Sequence, residues 1–358
     1  MSFEVNVRKV VPYVPGEQPN RSKMIKLNTN ECPYPPAPAV KEALAKLESA
    51  DMRLYPDPTS DVLLQALSDV YHMPKNQIFV GVGSDDVLAM AFLTFFNSDK
   101  PILFPDITYS FYDVWADLFR IPYKTCALDE KFKLCVEDYK QPNGGIVFPN
   151  PNAPTGVLES LEHVEEIVAA NPDVVVIVDE AYVDFGGISA VSLVDKYENL
   201  LVVQTFSKSR ALAGMRIGYA FGSARLIGYL NDAKFSFNSY TMNRPSLAAG
   251  AACVRSVDYF EEITAKIIAT REWTKAELAK LGFSFPDSYA NFIFATHKSV
   301  PAEEIYMALR EQDIYVRYFK KPRIDNYLRI TIGTNDEMQA LIAFLKEYLQ
   351  KTMQKSGD

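Results

Sequence analysis

Histidine and cysteine are scarce in this chain of 358 residues, which contains three histidines and four cysteines. The histidines are His72, His163 and His297, and their wide separation argues against a metal site and against a histidine-based catalytic triad. The cysteines are Cys32, Cys126, Cys135 and Cys253, and no two of them form a C-x-x-C pair. We therefore expect reduced structural thiols in a cytosolic protein rather than a disulfide framework.

Long apolar runs and an excess of positive charge are also missing. No apolar run is long enough to cross a bilayer, and residues 1–10 lack the apolar core of a signal peptide. The net charge of −8 disfavours nucleic acids and anionic membranes as partners. The sequence thus predicts a cytoplasmic protein without nucleic-acid or membrane partners, in which local cations hold any anionic ligand.

Seven short apolar runs occupy the middle of the chain, and helix-length amphipathic segments separate most of them. The runs are 78–82, 102–104, 122–126, 146–148, 174–178, 201–204 and 217–221. Strands that alternate with helices predict a mainly parallel sheet covered on both faces. The expected fold class is therefore α/β, with a three-layer large domain built on a seven-stranded sheet.

The two ends of the chain have different patterns. Residues 1–38 are irregular and rich in proline, so they are expected to wrap another surface, and a short helix follows. Beyond residue 222, long helical segments and later strands predict a smaller α+β domain. The predicted divisions are 1–50 for an N-terminal arm and first helix that contribute to the small domain and a dimer contact, 51–265 for the large domain, and 266–358 for the small domain.

Lys208 lies four residues beyond the apolar run that ends at Gln204. A lysine just past a strand end is where open α/β sheets bind ligands. Thr205, Ser207 and Arg216 flank it, and hydroxyls with an arginine suit a phosphate dianion. This combination indicates an imine between the lysine and a phosphorylated aldehyde, pyridoxal phosphate. The simpler alternative is a surface lysine in a serine-rich loop.

A glycine turn, Gly81-Val82-Gly83-Ser84-Asp85, lies between a predicted strand and a helix. Glycines let the backbone approach a ligand, and a helix N-terminus offers free N–H groups to a phosphate. The alternative is an ordinary tight turn in which Ser84 or Asp85 is the N-cap of the following helix. The turn does not fit the G-x-G-x-x-G dinucleotide motif, because Asp86 occupies the last glycine position.

Asp179 ends another buried run, and a buried carboxylate is costly without a partner. A protonated pyridine nitrogen is a suitable partner, and it would keep the cofactor ring an electron sink. The alternatives are an N-cap, a salt-bridged surface acid, or a magnesium site, although no P-loop motif is present to complete the last.

Together these motifs resemble those of aspartate-aminotransferase-type (fold type I) pyridoxal-phosphate enzymes. In chain order they are the glycine turn, Asn152-Ala153-Pro154-Thr155-Gly156, Asp179-Glu180-Ala181-Tyr182, and Ser207-Lys208 ahead of Gly214 and Arg216. The resemblance extends over almost the whole chain to the histidinol-phosphate aminotransferase family. Its further carriers are Pro12 to Gly16, Lys26-Leu27-Asn28-Thr29-Asn30-Glu31, Tyr55-Pro56-Asp57 and Tyr327 to Gly333.

The resemblance implies transamination of histidinol phosphate with 2-oxoglutarate, in histidine biosynthesis, by a homodimer whose residues 51–265 bind the cofactor. Lys208 matches the Schiff-base lysine and proton shuttle, Asp179 the partner of the ring nitrogen, and Tyr182 the partner of the ring 3-oxygen. Further cofactor contacts are implied for Ser84, Asp85, Tyr109, Asn152, Thr205, Ser207 and Arg216, and for Tyr55 from the neighbouring subunit. Substrate contacts are implied for Tyr13, Tyr55, Arg317 and Arg329.

Ala153 departs from the family pattern, which usually has an asparagine there that contacts the ring 3-oxygen. Either Asn152 substitutes or the contact is lost; Cys32 also replaces a common asparagine. Aromatic amino acid aminotransferases and threonine-phosphate decarboxylases share many of these motifs. Both activities therefore remain alternatives to the transamination of histidinol phosphate. A ligand sensor on the same fold is disfavoured, because the short N-terminus leaves no room for a DNA-binding domain.

Overall fold

The computed structural model describes residues 2–19, 21 and 23–355, and its strands form two sheets. The strands are β1 (Ile25–Leu27), β2 (Ile78–Gly81), β3 (Ile102–Pro105), β4 (Tyr123–Cys126), β5 (Ile146–Pro149), β6 (Val176–Asp179), β7 (Leu200–Thr205), β8 (Gly218–Gly222), β9 (Phe283–Ser284), β10 (Phe292–His297), β11 (Ile314–Tyr318) and β12 (Leu328–Thr331). The α-helices are α1 (Pro38–Ala45), α2 (Asp61–Tyr71), α3 (Ser84–Phe95), α4 (Tyr112–Phe119), α5 (Leu161–Ala170), α6 (Ala224–Phe237), α7 (Arg244–Arg255), α8 (Val257–Lys280), α9 (Ala302–Glu311) and α10 (Asn335–Lys355).

The large sheet has the strand order β2-β8-β7-β6-β5-β3-β4, and β8 runs antiparallel to both of its neighbours. Each of the seven predicted strands is present, with ends shifted by at most two residues. Alternate residues of the central strands pack into two apolar clusters, Val178 and Val202 on one face, Ile177 and Leu201 on the other. The predicted three-layer α/β architecture is therefore confirmed.

The chain direction brings the predicted motifs to one edge of this sheet. Strands β2, β6 and β7 are parallel to one another and end at this edge, whereas the antiparallel β8 begins there. Gly218 at the start of β8 pairs with Gly81 on one side and with Thr205 on the other. The carboxyl edge of a parallel sheet is the usual ligand site of such folds.

The small sheet has the order β1-β11-β12-β10-β9 and packs with α8, α9 and α10. Its first strand comes from the N-terminal arm, which pairs parallel with β11. Helix α1, which the sequence groups with the arm and the small domain, instead packs its Val40 in the core of the large domain. Helix α8 runs unbroken through residue 265, so the division there stays a prediction.

Within the described residues, no helix combines the length and the apolar character needed to cross a membrane.

Candidate active site

A cavity of about 360 Å³ opens at the carboxyl edge of the large sheet. This volume lies in the range of small-molecule sites, roughly 300–1,000 Å³. Nine residues predicted from the sequence line it together: Ser84, Asp85, Tyr109, Asp179, Tyr182, Thr205, Ser207, Lys208 and Arg216. Side chains that are up to 132 positions apart in the chain thus meet around one space, which a chance surface lysine would not explain.

Asp179 is the last residue of β6 and is only 4% exposed. Burial raises the pKa of its carboxyl group to about 6, although two hydrogen bonds oppose this rise. The Tyr112 hydroxyl donates to Oδ2 at 2.9 Å, and the Ala181 N–H donates to Oδ1 at 3.2 Å. A buried carboxylate held in this way gains most from a cationic partner in the cavity.

Lys208 follows β7 in a turn and reaches toward the N-terminal arm. Its Nζ donates to the Thr29 carbonyl at 3.2 Å and lies 5.8 Å from the centre of the Tyr182 ring. The Tyr182 hydroxyl accepts a hydrogen bond from Asn30 Nδ2 at 2.9 Å. The lysine amine, the tyrosine and the arm therefore form one wall of the cavity.

The first turn of α3 also lines the cavity, through Ser84 and Asp85. No side chain caps this helix, and Gly83 before it has a φ of +89°. A Cβ on Gly83 would collide with the Arg216 guanidinium, so the close approach requires glycine. An uncapped helix N-terminus beside an arginine is suited to binding a phosphate.

Asp85 links this end of the cavity to Tyr109. Its Oδ2 lies 3.1 Å from Arg216 Nη2, and its Oδ1 accepts from the Tyr109 hydroxyl at 2.8 Å. Burial and the nearby Asp85 carboxylate raise the pKa of Tyr109, so this hydroxyl stays protonated and donates. Arg216 is thus held in place before any anion binds.

Asn152 is not brought to the cavity, whereas Ala153 lines it. The Asn152 amide donates to the Ile107 carbonyl at 3.0 Å and to the Thr155 hydroxyl at 2.9 Å. Because both of its N–H groups are used in the turn, Asn152 has none to offer a ring oxygen. A contact between Asn152 and the ring oxygen stays a prediction, which would require the amide to leave these two acceptors.

Arg317 and Arg329 face each other as cross-strand neighbours on β11 and β12. Arg329 Nη2 donates to the Asn28 carbonyl at 3.0 Å, but its buried Nε has no partner in the described structure. Burial lowers the pKa of Arg329, and the Arg317 charge acts in the same direction. Like charges directly opposite in a sheet are unfavourable, so the pair is suited to an anionic ligand.

Tyr13 and Tyr55 lie away from the cofactor cavity. Tyr13 stacks on Phe111 at 4.1 Å and, with Arg317, lines a neighbouring cavity of about 660 Å³. Tyr55 is 77% exposed and stacks on Tyr240 at 4.6 Å. Its predicted contact through a neighbouring subunit stays a prediction.

Comparison with known proteins identifies the family. Residues 22–345 match the family model described as aminotransferase class I and II. The chain belongs to this family. A histidinol-phosphate aminotransferase from Clostridium botulinum (strain Langeland) is 51% identical over 97% of this chain and 98% of that relative. One from Lactococcus lactis subsp. cremoris is also 51% identical, over 99% of this chain and all of that relative.

The aminotransferase fold predicted from the sequence is confirmed by a solved structure. A histidinol-phosphate aminotransferase from Sinorhizobium meliloti, determined with pyridoxal-5'-phosphate, superposes with a TM-score of 0.83. It is 23% identical and covers 92% of both chains, so this likeness concerns the fold. Membership of the aminotransferase family points to pyridoxal phosphate as the cofactor.

The cavity fits that cofactor on its own chemistry. The uncapped α3 and Arg216 suit its phosphate, Asp179 suits its ring nitrogen, and Lys208 lines the same cavity. Thr29, Asn30 and Glu31 were not assigned roles from the sequence, yet Thr29 and Glu31 line the cavity and Asn30 holds Tyr182. The only signal for them was the arm motif that carried the resemblance.

Proposed function

We propose that this chain is an aminotransferase that moves the amino group of L-histidinol phosphate to 2-oxoglutarate, which yields imidazole acetol phosphate and glutamate. The observation that carries this proposal is the cavity that gathers Lys208, Asp179 and Arg216 at one sheet edge. For the substrate, the support comes from relatives of that name that are 51% identical over nearly the whole chain. The activity would belong to histidine biosynthesis.

Pyridoxal phosphate would be held by its phosphate on the first turn of α3, Thr205, Ser207 and Arg216. Asp179 would hold the ring nitrogen, Tyr182 the ring 3-oxygen, and Tyr109 would pack on the ring. When bound, the cofactor supplies an aldehyde that takes up the amino group and a ring that withdraws electrons. The remaining work falls to side chains of this protein.

Asp179 in its ionised form would keep a proton on the ring nitrogen, because a buried ion pair favours the charged states of both partners. Lys208 removes a proton from the carbon that carries the amino group and returns it at the other end of the transfer. The Tyr182 hydroxyl accepts from Asn30 and would donate to the ring oxygen. Without the cofactor, the Lys208 amine donates a hydrogen bond to the Thr29 carbonyl.

Arg317 and Arg329 would receive the anionic end of each substrate in turn, the phosphate of the amino donor and then the carboxylate of 2-oxoglutarate. The orphaned Arg329 Nε supports this role, since it leaves a donor for the ligand. Because both substrates use the same pair, they compete for one site, and ping-pong kinetics follow.

A homodimer is part of this proposal. Tyr55 is exposed and does not line its own cavity, so a second copy can receive it. Co-expression of a Tyr55→Ala chain with a Lys208→Ala chain tests this directly. Hybrid dimers regain activity, because one of their two sites has both residues intact, whereas neither variant alone is active. Absence of any regained activity in a verified hybrid would contradict the shared site.

The function is tested by the absorption spectrum of the purified protein with pyridoxal phosphate, with Lys208→Ala as the control. A visible band that histidinol phosphate converts, and that 2-oxoglutarate restores, is the expected result. Conversion by phenylalanine alone makes the protein an aromatic aminotransferase, and carbon dioxide released from threonine phosphate makes it a decarboxylase. No band in the wild-type protein overturns the enzyme assignment.

A further inference from the structure

Glu31 is one of three carboxylates that line the cofactor cavity, with Asp85 and Asp179. The other two are accounted for, since Asp85 pairs with Arg216 and Asp179 accepts from Tyr112 and from the Ala181 N–H. We propose that Glu31 is a specificity-determining residue, which accepts a hydrogen bond from the imidazole N–H of the amino donor. This inference rests on the proposed function and names the part of the substrate that the site selects.

The position of Glu31 follows from its contacts with the arm. Its Oε2 accepts from the Thr29 hydroxyl at 2.8 Å and from the Lys26 ammonium, which also donates to that hydroxyl at 2.7 Å. Both contacts hold the same oxygen, and no residue in the described ranges donates to Oε1. One oxygen of Glu31 is therefore fixed while the other is left to a ligand in the cavity.

Thr29 places Glu31 near the reacting amine. The Thr29 carbonyl accepts from Lys208 Nζ at 3.2 Å, while the hydroxyl of the same residue donates to Glu31. In histidinol phosphate, the imidazole is one methylene group away from the carbon that carries the amino group. Consider a substrate with its amino group at Lys208 and its phosphate at Arg317 and Arg329. Its imidazole ring is then the remaining part that can contact Glu31 in the N-terminal arm.

The charge of Glu31 suits an N–H donor and no anion. Burial opposes its ionisation, but the hydrogen bonds from Lys26 and Thr29, with the Lys208 charge, leave its pKa below the usual value. An ionised carboxylate is an acceptor only. It would repel the phosphate of the cofactor and the phosphate of the substrate. An imidazole ring offers it an N–H donor, whereas a phenyl ring does not. Sites built to bind an N–H group reject analogues that lack it.

The test compares two amino donors that differ only in the ring, histidinol phosphate and phenylalaninol phosphate. In the wild-type holoenzyme we expect kcat/KM to favour histidinol phosphate by roughly tenfold or more. Glu31→Met removes both oxygens with little change in length, and it lowers kcat/KM for histidinol phosphate by a similar factor. The value for phenylalaninol phosphate changes by less than about threefold, so the preference disappears.

Lys26→Met is the matched control, because it breaks the same ion pair and leaves Glu31 in place. The Lys26→Met variant keeps the preference for histidinol phosphate if Glu31 binds the imidazole ring directly. It loses this preference, as Glu31→Met does, if the ion pair acts only by fixing the conformation of the arm. Calorimetric dissociation constants of both donors with cofactor-free protein give a second readout, which follows the same pattern.

Two failures are distinguishable. If the wild-type enzyme does not use histidinol phosphate, the proposed function fails and the inference fails with it. If it does, and Glu31→Met lowers kcat/KM for both donors equally, the role of Glu31 alone is overturned.

Discussion

The two ends of the cleft treat charge differently. At the cofactor end, Arg216 is paired with Asp85, and Asp179 accepts two hydrogen bonds. At the proposed substrate end, Arg317 and Arg329 face each other on adjacent strands, and in the described ranges neither is paired with an acid. Under the proposed function, the permanently bound cofactor meets side chains whose charges are already paired. The transient substrates meet unpaired positive charge, which they themselves neutralise.

The largest expected effect comes from Asp179→Asn at the cofactor end. Asparagine cannot hold the ring nitrogen in its charged state, so we expect kcat to fall roughly a hundred- to thousandfold. The Tyr112 hydroxyl can still donate to the new amide oxygen, whereas the Ala181 N–H loses its side-chain acceptor. Turnover with saturating cofactor measures the effect, and a loss below about tenfold would remove Asp179 from its assigned role.

The same variant should stabilise the cofactor-free protein above pH 6. The pKa of Asp179 is raised to about 6, so its favourable contribution to the free energy of unfolding is present below about pH 4 and is lost as pH rises through 6. The Asp179→Asn variant avoids this loss, which amounts to at most about 2–3 kcal/mol. Urea unfolding of both cofactor-free proteins at pH 4 and pH 8 measures this loss. The carboxyl group of Glu180, whose pKa is raised to about 7, titrates in both proteins.

Arg329→Gln tests the substrate end. We expect KM for both histidinol phosphate and 2-oxoglutarate to rise, with kcat/KM lower by roughly ten- to a hundredfold. Cofactor affinity stays unchanged, and the free energy of unfolding does not fall by more than about 1 kcal/mol, because the variant relieves a cross-strand like-charge pair. Steady-state kinetics, cofactor titration and urea unfolding check these points. A large loss of stability would show that Arg329 is a structural residue.

The affinity for pyridoxal phosphate should fall as pH drops below 6. Protonated Asp179 cannot pair with the ring nitrogen, so the dissociation constant rises by about tenfold for each pH unit below its pKa. Titration of cofactor-free protein between pH 5 and 8 measures this dependence. Asp179→Asn is the control, because only the cofactor's own ionisation remains in its profile. Identical profiles would contradict the assignment.

The smallest effect is expected for Ala153→Asn, which restores the amide that the family usually has. An added hydrogen bond to the ring oxygen would lower the pKa of the visible cofactor band by about one unit, with less than about tenfold change in kcat. Ala153 is buried against Tyr182, so the larger side chain also costs some packing. A pH titration of the band decides whether the amide reaches the ring.

The sequence predicts the cofactor end better than the arm for a physical reason. Buried strands leave continuous apolar runs, and their ends locate Asp179 and Lys208 to within three residues. The three-residue β1 has no periodicity within a proline-rich segment, so neither the strand nor Thr29 was assigned. The start of α2 shows the same limit of pattern reading, because Ser60 has a φ of +57° and makes no side-chain cap, and Asp57 accepts the Asp61 N–H at 2.8 Å.

The pairing of β1 with β11 has a mechanical consequence for Lys208. The carbonyl that accepts from the lysine amine belongs to Thr29, which directly follows β1 and so is connected to the small sheet. Lys208 itself follows a strand of the large sheet. Sliding one sheet past the other by about 1 Å takes this pair beyond hydrogen-bonding distance. The hydrogen bond of the lysine amine therefore spans the boundary between the two sheets. The relative position of the sheets decides whether this amine is restrained or released.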